Sequence, residues 1–99
     1  MAVVLRDKDK IAEFCRRHHI KSLSFFGSVL RGDFGPESDV DVLVEFEEGH
    51  TPGLEFFEME RELSGVLGRK VDLNTPGFLC EEVRAEAMRE REVQYVAPE

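Results

Sequence analysis

Ninety-nine residues suffice for one domain with one core and leave little chain for a separate substrate domain. With 41% hydrophobic and 34% charged residues the chain reads as a water-soluble globular protein, and its net charge of −8 argues against direct nucleic-acid binding. No apolar run approaches the roughly 20 residues that span a bilayer, and Met1–Leu5 is too short for a signal-peptide core, so no membrane association and a cytoplasmic location are expected.

Residues 7–18 are predicted as a helix, with Asp7 as N-cap and Ile11, Phe14, Cys15 and His18 along one stripe. His18 and His19 are adjacent and point in different directions, and no further ligand is close in sequence, so they are not read as a metal pair. Cys15 and Cys80 are far apart with no CxxC spacing, which fits reduced thiols better than a disulfide framework. Residues 22–26 read as a short strand ended by Gly27, after which Ser28 can cap a short helix running to about Arg31. Residues 32–38 are a loop by composition.

The clearest strand is 39–46. Val40, Val42, Val44 and Phe46 face one side, and Asp39, Asp41, Leu43 and Glu45 the other. A polar loop, 47–53, leads to a helix over 54–67 with Phe56, Met59, Leu63, Val66 and Leu67 inward and Gly68 as terminator. A third strand, 70–74, turns Val71 and Leu73 to the core. Thr75-Pro76-Gly77 breaks the chain. A third helix runs from about 79 to 91 with Leu79, Val83, Ala87 and Met88 inward, and Val93–Val96 forms a short edge strand or a docked tail. The order of elements predicts a single α/β domain, residues 1–99, with one small sheet.

A strand that opens on two carboxylates is unusual, because ionised carboxylates are costly to desolvate unless paired or metal-bound. Asp39 and Asp41 share a face by strand parity. If the 70–74 strand turns its apolar side to the same helix layer, Asp72 joins them there. Three carboxylates with only Lys70 nearby repel one another unless a divalent cation neutralises them. Hard oxygen donors suit Mg²⁺, which usually shares its shell with substrate phosphates and water. The Gly27-Ser28 corner, where a strand meets a helix N-terminus, offers backbone N–H groups to an anion, and glycine lets a phosphate approach closely. Phosphate on one side and metal on the other describe a site for phosphoryl or nucleotidyl transfer. A Walker A loop is excluded, since Asp33-Phe34 stands where Lys-Ser/Thr is required.

Gly27-Ser28, ten residues, then Asp39-Val40-Asp41 resembles the signature of the nucleotidyltransferase superfamily, the DNA polymerase β-like fold. With Arg31-Gly32 and Ser38 added, the chain resembles the minimal nucleotidyltransferases, the MNT-type antitoxins paired with HEPN-domain toxins. The resemblance covers essentially the whole chain, and Asp72 in Lys-Val-Asp-Leu matches the third carboxylate. It implies a small mixed sheet flanked by helices. It implies two Mg²⁺ ions, held by Asp39 and Asp41 with Asp72 on the catalytic one, and ATP held by Gly27, Ser28, Arg31 and Ser38. The implied chemistry is attack of a hydroxyl on the α-phosphorus of ATP, with AMP passing to a tyrosine of the cognate HEPN-type toxin.

A chain this short has no added acceptor domain, so a partner is expected to supply that surface, with Phe34 and parts of 54–57 as candidate docking positions. Two alternatives remain: an antitoxin that neutralises its partner by binding alone, and a nucleotidyltransferase acting on a small molecule. Three mutually repelling carboxylates favour an active site over the first, and the missing acceptor domain disfavours the second.

Overall fold

The computed structural model describes residues 8–30 and 39–98, leaving aside the side chains of Ser28, Val29 and Phe78. The expected cap Asp7, the motif residues Arg31 and Ser38, and Phe34 lie outside the described residues.

Helix α1 (Lys8–Arg17) leads into β1 (Ile20–Phe26), followed by one 3-10 turn at Gly27–Leu30. Strand β2 (Val40–Phe46), helix α2 (Glu55–Leu67) and strand β3 (Val71–Asn74) come next. A short 3-10 turn at Pro76–Phe78, helix α3 (Glu81–Glu90) and strand β4 (Glu92–Val96) complete the order. The tail thus forms a strand, and β1 begins two residues before its expected start. His19 explains the early start: it adopts a left-handed φ of 55°, turning the chain from α1 straight into β1. Its carbonyl accepts the Glu47 N–H at 2.9 Å, which ties this turn to the far end of β2. Gly68 ends α2 as expected, with φ 68°.

The four strands form one mixed sheet in the order β3-β2-β1-β4. β1 is antiparallel to both β2 and β4, and β2 is parallel to β3. This is the small mixed sheet flanked by helices that the family resemblance implies. The period of two is read out as expected on β2, where Val40, Val42 and Val44 enter the main core. They meet Leu23 and Phe25 of β1, Val71 and Leu73 of β3, and the stripes of α1 (Ile11, Phe14, Cys15) and α2 (Phe56, Met59, Leu63, Leu67).

β3 and β4 lie at opposite edges, so the chain between them must cross the sheet. It crosses on the other face, where Ala87 of α3 packs with Phe26, Leu43 and the partly buried Leu79. The expected inward set of α3 is corrected here: Val83 is 43% exposed and Met88 37%, and Ala87 is the buried residue of the helix. A small cluster needs only one narrow contact line, and a small alanine allows the close approach. At the helix end, Arg91 Nη1 reaches Glu45 Oε1 on the same sheet face at 3.4 Å.

Candidate active site

Asp39 and Asp41 sit at the start of β2, an interior strand between β3 and β1. Pairing places Asp41 opposite Phe26 of β1 and opposite Asp72 of β3. Registered residues of a parallel pair project to the same face, and adjacent strands run about 4.8 Å apart. Asp41 and Asp72 therefore stand side by side on the face opposite the main core. Asp41 is half-buried and Asp72 exposed.

Gly27 follows Phe26 directly and so arrives beside Asp41. Its φ is +74°, a conformation that L side chains rarely adopt. A Cβ added there would overlap Asp41 Oδ2 and lie 3.1 Å from Asp41 Cγ. Gly27 is thus needed twice over, for its backbone angle and because the Asp41 carboxylate occupies the space a side chain would fill.

Asp39 precedes β2 and is half-exposed, with Lys70 Nζ 4.0 Å from its Oδ2. The Val40 N–H donates to the Lys70 carbonyl at 2.9 Å, so the segment before β3 runs alongside Asp39. An ion pair at this distance and exposure contributes little to stability and yields readily to a stronger cation. Among the described residues the corner is a 3-10 turn, Gly27–Leu30, and it offers an anion its backbone N–H groups.

Among the described residues no three His, Cys, Asp or Glu side chains are gathered into a ready-made metal cage. The donor chemistry nevertheless fits Mg²⁺. The adjacent carboxylates of Asp41 and Asp72 supply hard oxygens, and this ion commonly takes one or two carboxylates and completes its shell with phosphate and water. Beside the carboxylates, a cleft of about 170 Å³ opens between Gly27 and α3, lined by Phe26, Val83, Glu86, Ala87 and Glu90. No residue of α3 is among the site residues expected from the sequence. Only the crossing of α3 over this face brings those residues to Gly27.

The three histidines converge at the other end of β2. His19 and His50 stack with ring centroids 4.0 Å apart, and His18 Nε2 lies 3.1 Å from Glu62 Oε1. His50 and Glu62 are the neighbours that sequence distance concealed. Nearly parallel stacked rings, 16° between planes, do not aim their in-plane nitrogens at one point, so the pair is not a chelate.

The family model described as the nucleotidyltransferase domain matches residues 8–95. A Methanocaldococcus jannaschii relative, provisionally named a protein adenylyltransferase, is 45% identical over 77 residues, 77% of this chain and 74% of its own length. Protein adenylyltransferase MntA of Thermococcus cleftensis is 38% identical over 79 residues, covering 79% of this chain and 78% of its own. A crystal structure of a toxin–antitoxin with AMP-PNP shares the fold at TM-score 0.75 and 18% identity, covering 92% of this chain and 74% of the matched one. A carboxylate pair held in register beside a left-handed glycine corner is what this fold presents here, and with 88 of its residues inside the family match the chain belongs to the nucleotidyltransferase family, alongside relatives of the MntA type.

Proposed function

We propose that this single-domain chain, residues 1–99, is a cytoplasmic Mg²⁺-dependent enzyme that transfers AMP from ATP to a tyrosine hydroxyl of a cognate HEPN-domain toxin, and so acts as its antitoxin. The observation that carries the reading is the register of Asp41 with Asp72 on one open face, with Gly27 against Asp41. The similarity to protein adenylyltransferase MntA supports the reaction class, and the fold shared with a toxin–antitoxin bound to AMP-PNP supports the partner class and the nucleotide.

Asp39, Asp41 and Asp72 would hold the metal, two ions in the full complement. The metal supplies charge neutralisation on the phosphates and acidifies a bound hydroxyl. Gly27 and Ser28 hold the triphosphate through the backbone of the 3-10 turn. Arg31 and Ser38 join the nucleotide site by their place in the motif. With a metal bound, Lys70 would give up its contact with Asp39. Asp72, the exposed member of the set, takes the proton of the incoming hydroxyl. The new bond joins the acceptor oxygen to the α-phosphorus, the bond from that phosphorus to the bridging oxygen breaks, and pyrophosphate leaves. Neither nucleic acid nor membrane is required.

The test is incubation with α-³²P-labelled ATP, Mg²⁺ and the product of the neighbouring gene. Label on the partner, lost in Asp39→Asn, is the expected result. A stable complex without label in any of several divalent metals would replace the reading with an antitoxin that works by binding. Label on a small molecule alone would move the acceptor to that class.

A further inference from the structure

Among the described residues β3 is four residues long and lies at the edge of the sheet, with β2 as its one strand neighbour. A slip of one residue would turn Asp72 into the core and Val71 and Leu73 out of it, and in so short a strand only those two buried side chains resist the slip from within. Its outer side is nevertheless occupied. Glu60 Oε2 accepts the Leu73 N–H at 2.8 Å, and Ser64 Oγ accepts the Val71 N–H at 3.0 Å. The Ser64 hydroxyl donates back to the Glu60 carbonyl at 2.8 Å, which aims its lone pairs at Val71.

The match is geometric. Positions i and i+4 of a helix lie on one face about 6 Å apart along the axis. Alternate residues of a strand are about 6.6 Å apart and send their N–H groups to the same side. Glu60 pairs with Leu73 and Ser64 with Val71, the order demanded when helix and strand run in opposite directions. Two side chains of α2 thus stand in for a fifth strand, and the residue between the two bonds is Asp72.

We propose that Glu60 and Ser64 are positioning residues for Asp72: they hold β3 in the register that sets its carboxylate beside that of Asp41. The proposal rests on the reading of Asp72 as a metal ligand. Neither residue touches the reacting atoms. A cap that served only to block edge-to-edge aggregation would not need to bracket the third carboxylate, and any charged residue on the edge would do.

The test uses the full chain with Glu60→Ala, Ser64→Ala and Glu60→Gln, the last retaining a carbonyl oxygen as acceptor. In Glu60→Ala the Leu73 amide should exchange with solvent about tenfold faster or more relative to the Val42 amide. Mn²⁺-induced broadening of the Asp72 amide resonance should weaken relative to that of Asp41. With partner present, kcat should fall by about tenfold or more while KM for ATP changes less than about twofold, the pattern of a lost transition-state alignment. Ser64→Ala should show the same pattern at Val71 with a smaller amplitude, and it decides the matter if Glu60→Ala does not fold. Glu60→Gln should restore all three readouts. A lowered melting temperature with Asp72 broadening and kcat unchanged would reduce the pair to edge protection and overturn the proposal, as would a Gln variant as damaged as the Ala one. If the wild type transfers no AMP, the function reading fails by itself, and exchange with Mn²⁺ broadening still decides this one.

Discussion

Val40, Val42 and Val44 project from one face of β2 and none is exposed, whereas Asp41, Leu43 and Glu45 project from the other and only Leu43 is buried. The first face meets two helices whose stripes supply seven buried side chains; the second meets one helix through a single buried alanine. Alternation along the same strand therefore separates two tasks at no cost in chain length. The dry face supplies the stability, and the open face can carry charge and a cleft because little of the folding free energy depends on it. A chain of this size can present a polar site on its sheet only if the other face is nearly complete as a core.

The largest expected contrast is between the two thiols. Cys15 lies on the dry face, and its removal from water pushes the thiol from 9.0 up to about 12, with the nearby Arg16 charge opposing the shift. Burial both raises the thiol's pKa and bars a reagent, so a disulfide reagent should titrate the exposed Cys80 quickly and Cys15 only on unfolding. The sign for stability follows from the raised folded value. The native state keeps its proton where the unfolded thiol loses one, so this contribution is intact below pH 9 and is lost as pH rises towards 12. A denaturant midpoint that does not fall over that window would remove Cys15 from the core.

Phe14→Ala on the dry face should cost about 3–5 kcal/mol, measured by urea unfolding, because its side chain is wholly enclosed. Asp41→Asn should do the reverse: about a hundredfold or greater loss of nucleotidyl transfer, more than outer-shell changes usually cause, with a smaller loss of stability than Phe14→Ala. Loss of folding in Asp41→Asn would mean that the faces are not separable.

Gly27→Ala should break the separation. It forces a left-handed backbone on alanine, about 1–2 kcal/mol, and pushes the Asp41 carboxylate aside, so stability and transfer should fall together. The smallest effect is expected on α3, where Val83→Ala should change stability by less than about 0.5 kcal/mol. A larger loss would show that α3 contributes a second core.

The parts of this protein legible in its sequence are those governed by local periodicity. The strand parity of 39–46 and 70–74, with both apolar sides on one helix layer, predicts that Asp41 and Asp72 share a face, and the pairing register agrees. The stripe of α2 and its Gly68 terminator were equally readable. The reading went astray at α3, because an apolar residue at helical spacing says which side is apolar and not whether anything covers it; Val83 and Met88 were left partly in water. The Glu60 and Ser64 bonds were invisible for a related reason. They depend on β3 being an edge strand, and strand order is settled by how helices pack across the sheet.

Sequence alone therefore determined the first two helices and first three strands with their inward faces, and the motif that belongs to the nucleotidyltransferase family, since each depends on residues a few positions apart and on backbone geometry common to all chains. Tertiary structure decided what lies next to what: Gly27 against the Asp41 carboxylate, Lys70 beside Asp39, α3 over the open face, and α2 along the outer edge of the strand that carries Asp72. Those contacts join segments far apart in the chain. They are selected by the burial of the core as a whole, a property that no single stretch of sequence contains.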